Sequence, residues 1–301
     1  MNIGIMIGED YPDKIVRKAI DLEKRGFDSV WIGNFVGHGL DPLAIMSLIA
    51  QETKHIKLGT AVVPIFLHHP LAMAHQAITI QKVALGRFTL GIGLSHPFII
   101  KDLLGIKYEK PVTQMMEYLS ILRPLLNGEA VTFKGTYFNT NAGVHIPDVA
   151  RVPLLVAALG PKMLKLAGEM TDGTVTYLTG LQTLQTHIIP KICAAAEDSK
   201  HRAPRIVAGG IPIALVNDVD AARSAIADEF AGYLDLPSYR AMFDREGVTG
   251  AGDIAIVGGA SVLKKSLNRA RDIGVTDFMA SPSPAGEDAY NRTIDFLTTQ
   301  L

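Results

Sequence analysis

The residues Gly160-Pro161-Lys162-Met163 join an apolar run to a helical spacing, and such a junction can hold an anion. Leu154, Leu155 and Val156 form a buried-strand pattern after Pro153. Pro161 suits the first helical position, where no backbone N–H is needed. Apolar residues at 163, 164, 166, 167 and 170 then recur at helical spacing. A helix starting there presents free N–H groups and the positive end of its dipole, which suit a phosphate. The same pattern also fits a capped strand–helix unit with no ligand. Lys162 reads either as a phosphate contact or as a solvated lysine. His96 follows the strand ending Gly91-Ile-Gly93, and an imidazole can exchange a proton near neutral pH. A loop histidine can equally cover a ring or bond a carbonyl.

Other chemistry is sparse. There is no His-Glu-x-x-His, no metal-ligand spacing and no Gly-x-Ser-x-Gly turn. His68 and His69 are adjacent, so on a strand they point opposite ways. Gly91-Ile-Gly-Leu-Ser95 lacks the third glycine of a dinucleotide fingerprint and reads as backbone that lets a flat ligand approach closely. Glu9, His38 and His68 are weaker site candidates, and His55 and His201 precede strands on the opposite face. A loop face rich in glycine and poor in acids, nucleophiles and ligands suits an enzyme whose cofactor carries the reaction.

These residues need a scaffold, and the chain alternates strand and helix signals. Strands are expected at 2–8, 29–32, 56–63, 87–93, 154–156, 174–178, 206–216 and 275–280. Helices are expected at 12–25, 42–51, 70–84, 112–126, 161–172, 181–199, 261–272 and 287–298. An irregular stretch covers 94–110, residues 129–150 read as an extended excursion with turns at Gly135 and Gly143, and helical and loop material fills 218–258. The loops 34–41, 95–110 and 233–255 would shape a substrate pocket. Parallel strands need helical crossovers. Eight such units predict a single (β/α)8 TIM-barrel domain over residues 1–301, with insertions after strands four and seven, and with its site at the C-terminal strand ends. A doubly wound sheet is the alternative.

Composition agrees. The 301 residues are 48% hydrophobic and 20% charged, with 29 basic and 30 acidic side chains and a net charge of −1. No charge block suits nucleic acid, and no apolar run suits a membrane span. The N-terminus has no signal-peptide pattern. One cysteine, Cys193, excludes an intrachain disulfide and reads as a buried structural thiol in a reducing, cytoplasmic compartment.

Along nearly its whole length the sequence resembles the bacterial luciferase-like flavin and deazaflavin oxidoreductases. The clearest stretch is Pro153–Gly173, which resembles the family's fifth-strand wording. Leu58-Gly-Thr-Ala-Val62 resembles its third strand, His69-Pro70 its third helix, Gly86-Arg-Phe-Thr-Leu-Gly-Ile-Gly93 its fourth strand, Asn127–Tyr137 its excursion, and Gly274-Val-Thr-Asp-Phe278 its eighth strand. Gly160–Met163 and Ala61-Val62 are most similar to the branch that uses coenzyme F420. Asn34-Phe35 and His96 depart from that branch, where Asp-His and an acid are common, so its known substrates do not carry over.

The resemblance implies a coenzyme F420-dependent hydride transfer to or from a small organic substrate. An FMN-dependent monooxygenase and a non-catalytic flavin-binding barrel are the alternatives. It implies a non-prolyl cis peptide at Ala61–Val62 beneath the cofactor ring. Asn34, Thr60, Ala61, Val62, Gly91, Gly93, Leu94, Ser95 and Ala158 would contact the cofactor. Its phosphate would lie near Gly160, Pro161, Lys162, Met163 and Gly180, and His96 would be the proton donor. A homodimer is expected through the helices at 42–51 and 70–84, where Ala72, Ala74, Ala77 and Ile78 read as apolar on more than one face.

Overall fold

The structure, a computed structural model, describes residues 1–8, 10–282 and 287–301; Glu9 and Ser283 lie outside them. Strands β1 (Asn2–Met6), β2 (Ser29–Ile32), β3 (Lys57–Thr60), β4 (Phe88–Gly93), β5 (Leu154–Val156), β6 (Gly173–Thr176), β7 (Arg205–Leu215) and β8 (Asp277–Pro282) each pair in parallel with the next. Pairing of β1 with β8 closes the ring. Helices α1 (Pro12–Lys24), α2 (Pro42–Glu52), α3 (Pro70–Val83), α4 (Pro111–Leu126), α5 (Pro161–Met170), α6 (Ile189–Asp198), α7 (Val219–Glu229), α8 (Pro237–Glu246), α9 (Ala260–Asp272) and α10 (Glu287–Thr298) fill the crossovers. The expected (β/α)8 barrel is therefore present, and the doubly wound sheet is not.

Alternation along the strands divides the apolar residues into two layers. Val30 and Ile32 join the large core under the helices, while Trp31 between them belongs to a separate cluster with Leu155, Val175, Val207 and Met279. This second cluster fills the barrel. Trp31 fits because Gly59 has no side chain: a Cβ there would meet the indole at 2.2 Å. The indole N–H donates to Ser29 Oγ at 2.8 Å, so its polar atom is satisfied inside the barrel.

One segment differs from the sequence reading, and two agree with it in more detail than it gave. The run 56–63 is not one strand: it breaks after Thr60, and Val63–Pro64 re-pairs with Ile92 and Gly93 of β4. The helix expected over 181–199 is present without a break, with one π-helical turn, Leu184–Ile188, between its first turn, Leu181–Thr183, and α6. Segment 129–150 holds an antiparallel hairpin, Val131–Lys134 with Asn139–Ala142, clamped by Glu117, whose carboxylate accepts N–H groups from Thr136, Tyr137 and Phe138. Cys193 is half-buried rather than buried. Ala74, Ala77 and Ile78 are buried in the chain's own core and only Ala72 is exposed, so most of the apolar faces of α3 are satisfied within one protomer. Among the described residues no helix is long and apolar enough to cross a membrane.

At the barrel's lower end, Asp277 is 2% exposed. It accepts from Asn2 Nδ2 at 3.0 Å, Arg205 Nη2 at 3.0 Å and Thr276 Oγ1 at 2.6 Å. Burial pushes its carboxyl up, but the Arg205 charge and these hydrogen bonds outweigh burial and hold it below its ordinary value. A lowered carboxyl contributes stability that is present above pH about 4 and is lost as pH falls through the lowered value. Asp277→Ala, which strands Arg205 and Asn2, is expected to lower unfolding free energy by about 2–4 kcal/mol in urea titration at pH 7. The difference from the parent should shrink towards pH 3.

Candidate active site

The C-terminal strand ends surround a cavity of about 500 Å³. Its floor is the break in β3. Ala61 and Val62 are joined by a cis peptide bond, as the resemblance implied. Ala61 N–H donates to Ile32 O at 2.8 Å, and Asn34 N–H donates to Val62 O at 3.3 Å. Behind the floor Thr60 Oγ1 donates to Gly91 O and accepts from Gly91 N–H, both at 2.8 Å. The Thr60 hydroxyl thus takes over the ladder bonds that the break in β3 leaves open.

Ten of the expected residues come together in the cavity lining: Asn34, Ala61, Val62, Gly93, Leu94, Ser95, His96, Ala158, Gly160 and Met163. Thr60, Gly91, Pro161, Lys162 and Gly180 do not line it. The glycines of β4 also serve a different purpose from the one expected. A Cβ on Gly91 would meet Thr60 O at 2.1 Å, and one on Gly93 would meet Val62 Cγ2 at 2.6 Å. Their missing side chains admit the neighbouring β3 bulge, whatever ligand lies above. Gly160 has open space at its Cβ position.

Two helix starts were read as phosphate sites, and they differ. Gly160 precedes α5 with no side-chain cap, so among the described residues the first N–H groups of α5 have no side-chain acceptor. Lys162 is exposed beside it. At Gly180 the position is taken. The Glu246 carboxylate accepts from Gln182 N–H at 3.0 Å and Thr183 N–H at 2.6 Å, and a Cβ on Gly180 would meet it at 2.2 Å. His187 bonds Leu159 O at 2.8 Å and so fixes the loop between β5 and α5.

His96 stands in a group of rings supplied largely by the loops 95–110 and 233–255, which were expected at the pocket, although the rings themselves were not singled out. Phe98 stacks near-parallel to it at 6.1 Å, and Tyr239 and Tyr233 lie at 5.7 and 6.5 Å. Tyr233 meets Tyr239 edge-on at 4.9 Å and Tyr177 at 5.7 Å. Burial alone lowers the His96 pKa, so its neutral form is favoured. The same burial raises the Tyr177, Tyr233 and Tyr239 phenols and keeps them protonated. Tyr177 reaches this position because β7 bulges at Gly209–Gly210; Gly210 has φ +61°, and a Cβ there would meet the Tyr177 ring at 2.0 Å. Glu229, at the end of α7, lines the mouth. His38 and His68 lie off the cavity lining. Among the described residues no three His, Cys, Asp or Glu side chains gather to hold a metal ion.

Gly91→Ala is expected to lower stability by about 1–3 kcal/mol, because the added methyl must displace the Thr60 carbonyl. Gly160→Ala should change it little, since that position is open and already extended at φ −81°. Thermal unfolding of the two variants compares them directly.

The sequence pattern of the luciferase-like monooxygenase family matches residues 3–279. A 5,10-methylenetetrahydromethanopterin reductase of Methanolobus tindarius is 29% identical over 315 residues, covering 95% of each chain. An F420-dependent glucose-6-phosphate dehydrogenase of Amycolatopsis mediterranei is 28% identical over 199 residues, 62% of this chain and 60% of that one. Among solved structures, an F420-dependent secondary alcohol dehydrogenase in complex with an F420–acetone adduct superimposes with a TM-score of 0.82 at 24% identity, covering 100% of this chain and 98% of that one. The coenzyme F420-dependent tetrahydromethanopterin reductase of Methanopyrus kandleri gives 0.77 at 21%, with the same coverage. The two structural matches concern the fold, and the match over residues 3–279 concerns descent: this chain belongs to the luciferase-like monooxygenase family.

Proposed function

We propose that the protein is a coenzyme F420-dependent oxidoreductase that moves a hydride between the deazaflavin and a small organic substrate. The observation that carries this reading is one cavity joining a flat apolar floor, Ala61–Val62, to an uncapped helix start at Gly160. Those two features suit a planar ring and a phosphate on one molecule. Relatives named as F420-dependent support the choice of coenzyme. Asn34, Ala61, Val62, Gly93, Leu94 and Ser95 would hold the ring. Ala158, Gly160 and Met163 would hold the phosphate end, with Pro161 setting the start of α5 and Lys162 adding positive charge from the rim. Thr60 and Gly91 would act from behind, by holding the floor. Gly180 has no part in this scheme, because Glu246 occupies the Gln182 and Thr183 N–H groups that follow it.

When bound, the deazaflavin would supply the two-electron chemistry for which the lining offers no group of its own. His96 holds the proton. Its neutral imidazole takes a proton from a substrate hydroxyl in the oxidising direction and returns it in the reducing direction. The surrounding rings keep water from competing with that exchange. Since burial lowers the His96 pKa, oxidation should rise with pH through a value below about 6.5 and then level off. Reduction should fall as pH rises through the same range.

Fluorescence titration is expected to show tighter binding of coenzyme F420 than of FMN. Equal or tighter FMN binding would favour the monooxygenase reading, and binding without turnover of any acceptor would favour a flavin-binding protein. His96→Ala should lower turnover about 10²-fold or more with little change in coenzyme affinity. Near-parent turnover with weakened binding would remove His96 from the proton path.

A homodimer through the outer face of α2 is part of the proposal. Ala44 and Leu48 are exposed there, one helical turn apart, and Leu48 is 48% exposed. Light scattering at micromolar concentration should give twice the 32.4 kDa chain mass, and Leu48→Asp should shift it towards one chain.

A further inference from the structure

We infer that the substrate of this cavity is an uncharged or cationic compound with an apolar or aromatic body, and that Glu229 is the residue that excludes anions. The inference rests on the cavity being the reaction site. Its grounds are the lining itself. Beyond the Ala61–Val62 floor the lining is rich in rings: Phe98, Tyr233 and Tyr239 around His96, Tyr177 against Tyr233 and Tyr239, and Tyr108 elsewhere in the lining. Rings spaced 4.9–6.5 Å apart in this way offer apolar faces and edges to a ligand.

Charge is the sharper criterion. Among the described residues no lysine or arginine lines the cavity. A phosphate or carboxylate drawn into these walls would lose its water and find no cation. Among the described residues Glu229 is the one carboxylate in the lining, and no basic side chain stands there to balance it once His96 is neutral; partial burial raises its carboxyl above the ordinary value. It makes no hydrogen bond or ion pair with any described residue. It shares the cavity lining with Tyr177, Tyr233 and Tyr239, so it stands beside the ring cluster. An unpaired carboxylate at the mouth of a low-dielectric cleft sets a negative potential across the entrance. That potential repels anions, and rings beside a carboxylate tolerate a cation. The uncapped start of α5 follows β5, whereas Glu229 follows β7, so the end suited to a phosphate and the end that rejects one belong to different loops.

Three aryl ketones of one skeleton test this by calorimetry on the full chain, with and without added coenzyme F420: acetophenone, 4-acetylbenzoate and 4-(aminomethyl)acetophenone. The carboxylate is expected to bind about tenfold or more weakly than the neutral ketone, and the amine no more weakly than the neutral ketone. Glu229→Gln should reduce the neutral-to-carboxylate ratio severalfold, and 0.5 M salt should reduce it in the parent. Glu229 is at the surface, so this variant keeps the fold; Tyr239→Phe, inside the ring cluster, should leave the ratio standing. Equal affinities, a preferred carboxylate, an unchanged ratio in Glu229→Gln, or no binding of any probe would overturn the inference. Failure of coenzyme F420 to bind while the probes keep this order would overturn the proposed cofactor instead.

Discussion

The packing of Trp31 inside the barrel sets the level at which everything else is built. A barrel of eight strands leaves an interior that side chains must fill, and here the indole does most of the filling. Gly59 yields it space, Ser29 satisfies its N–H, and Leu155, Val175, Val207 and Met279 close around it from four other strands. Ala61 and Val62 rest on this cluster as its partly buried upper members. The site floor is therefore the top layer of the barrel's own core. A floor made that way is rigid, because moving it would open a void in a close-packed interior.

The same low-polarity surroundings decide the protonation states above the floor. His96 has rings for neighbours and no carboxylate partner to favour its charge, so burial drives it neutral. The tyrosines beside it are held protonated by burial. The lower end of the barrel works the opposite way. Asp277 is buried as deeply, yet Arg205, Thr276 and Asn2 keep it ionised. Partners, and not depth alone, separate a group kept charged from one left neutral.

Much of this was legible in the sequence. Strand and helix alternation gave the barrel, since each strand is a short apolar run buried on both faces. Gly160-Pro161 marked the uncapped start of α5 because proline chemistry there is local. The resemblance located the break at Ala61–Val62, which periodicity alone read as continuous strand. What the sequence could not show was pairing between distant residues. Gly91 and Gly93 looked like ligand clearance, but the atoms they clear belong to Thr60 and Val62, about thirty positions earlier. Gly180 looked like a free helix start, but Glu246 reaches back to it across α8. The loop 233–255 was expected at the pocket, but that Tyr233 and Tyr239 meet His96 was not legible, because those rings arrive from a segment between β7 and β8 that carries no strand pattern.

That segment also explains how one site can combine a fixed floor with adaptable walls. Tyr239, Phe243 and Ile226 pack with Leu178, Ala214 and Val216 in an apolar cluster of their own, separate from the core beneath the helices. Glu229 ends α7, and Tyr233 lies between α7 and α8, the two helices that supply this cluster. The floor answers to Trp31, while the walls answer to this second cluster. Substitutions in the second need not disturb the first, because separate sites without shared partners act nearly independently. The two are joined at β7, where the Gly209–Gly210 bulge lets Tyr177 lean from β6 into the ring group. A change at Gly210 would cross that boundary and move a wall from within the barrel, whereas a change at Glu229 would alter only which molecules enter.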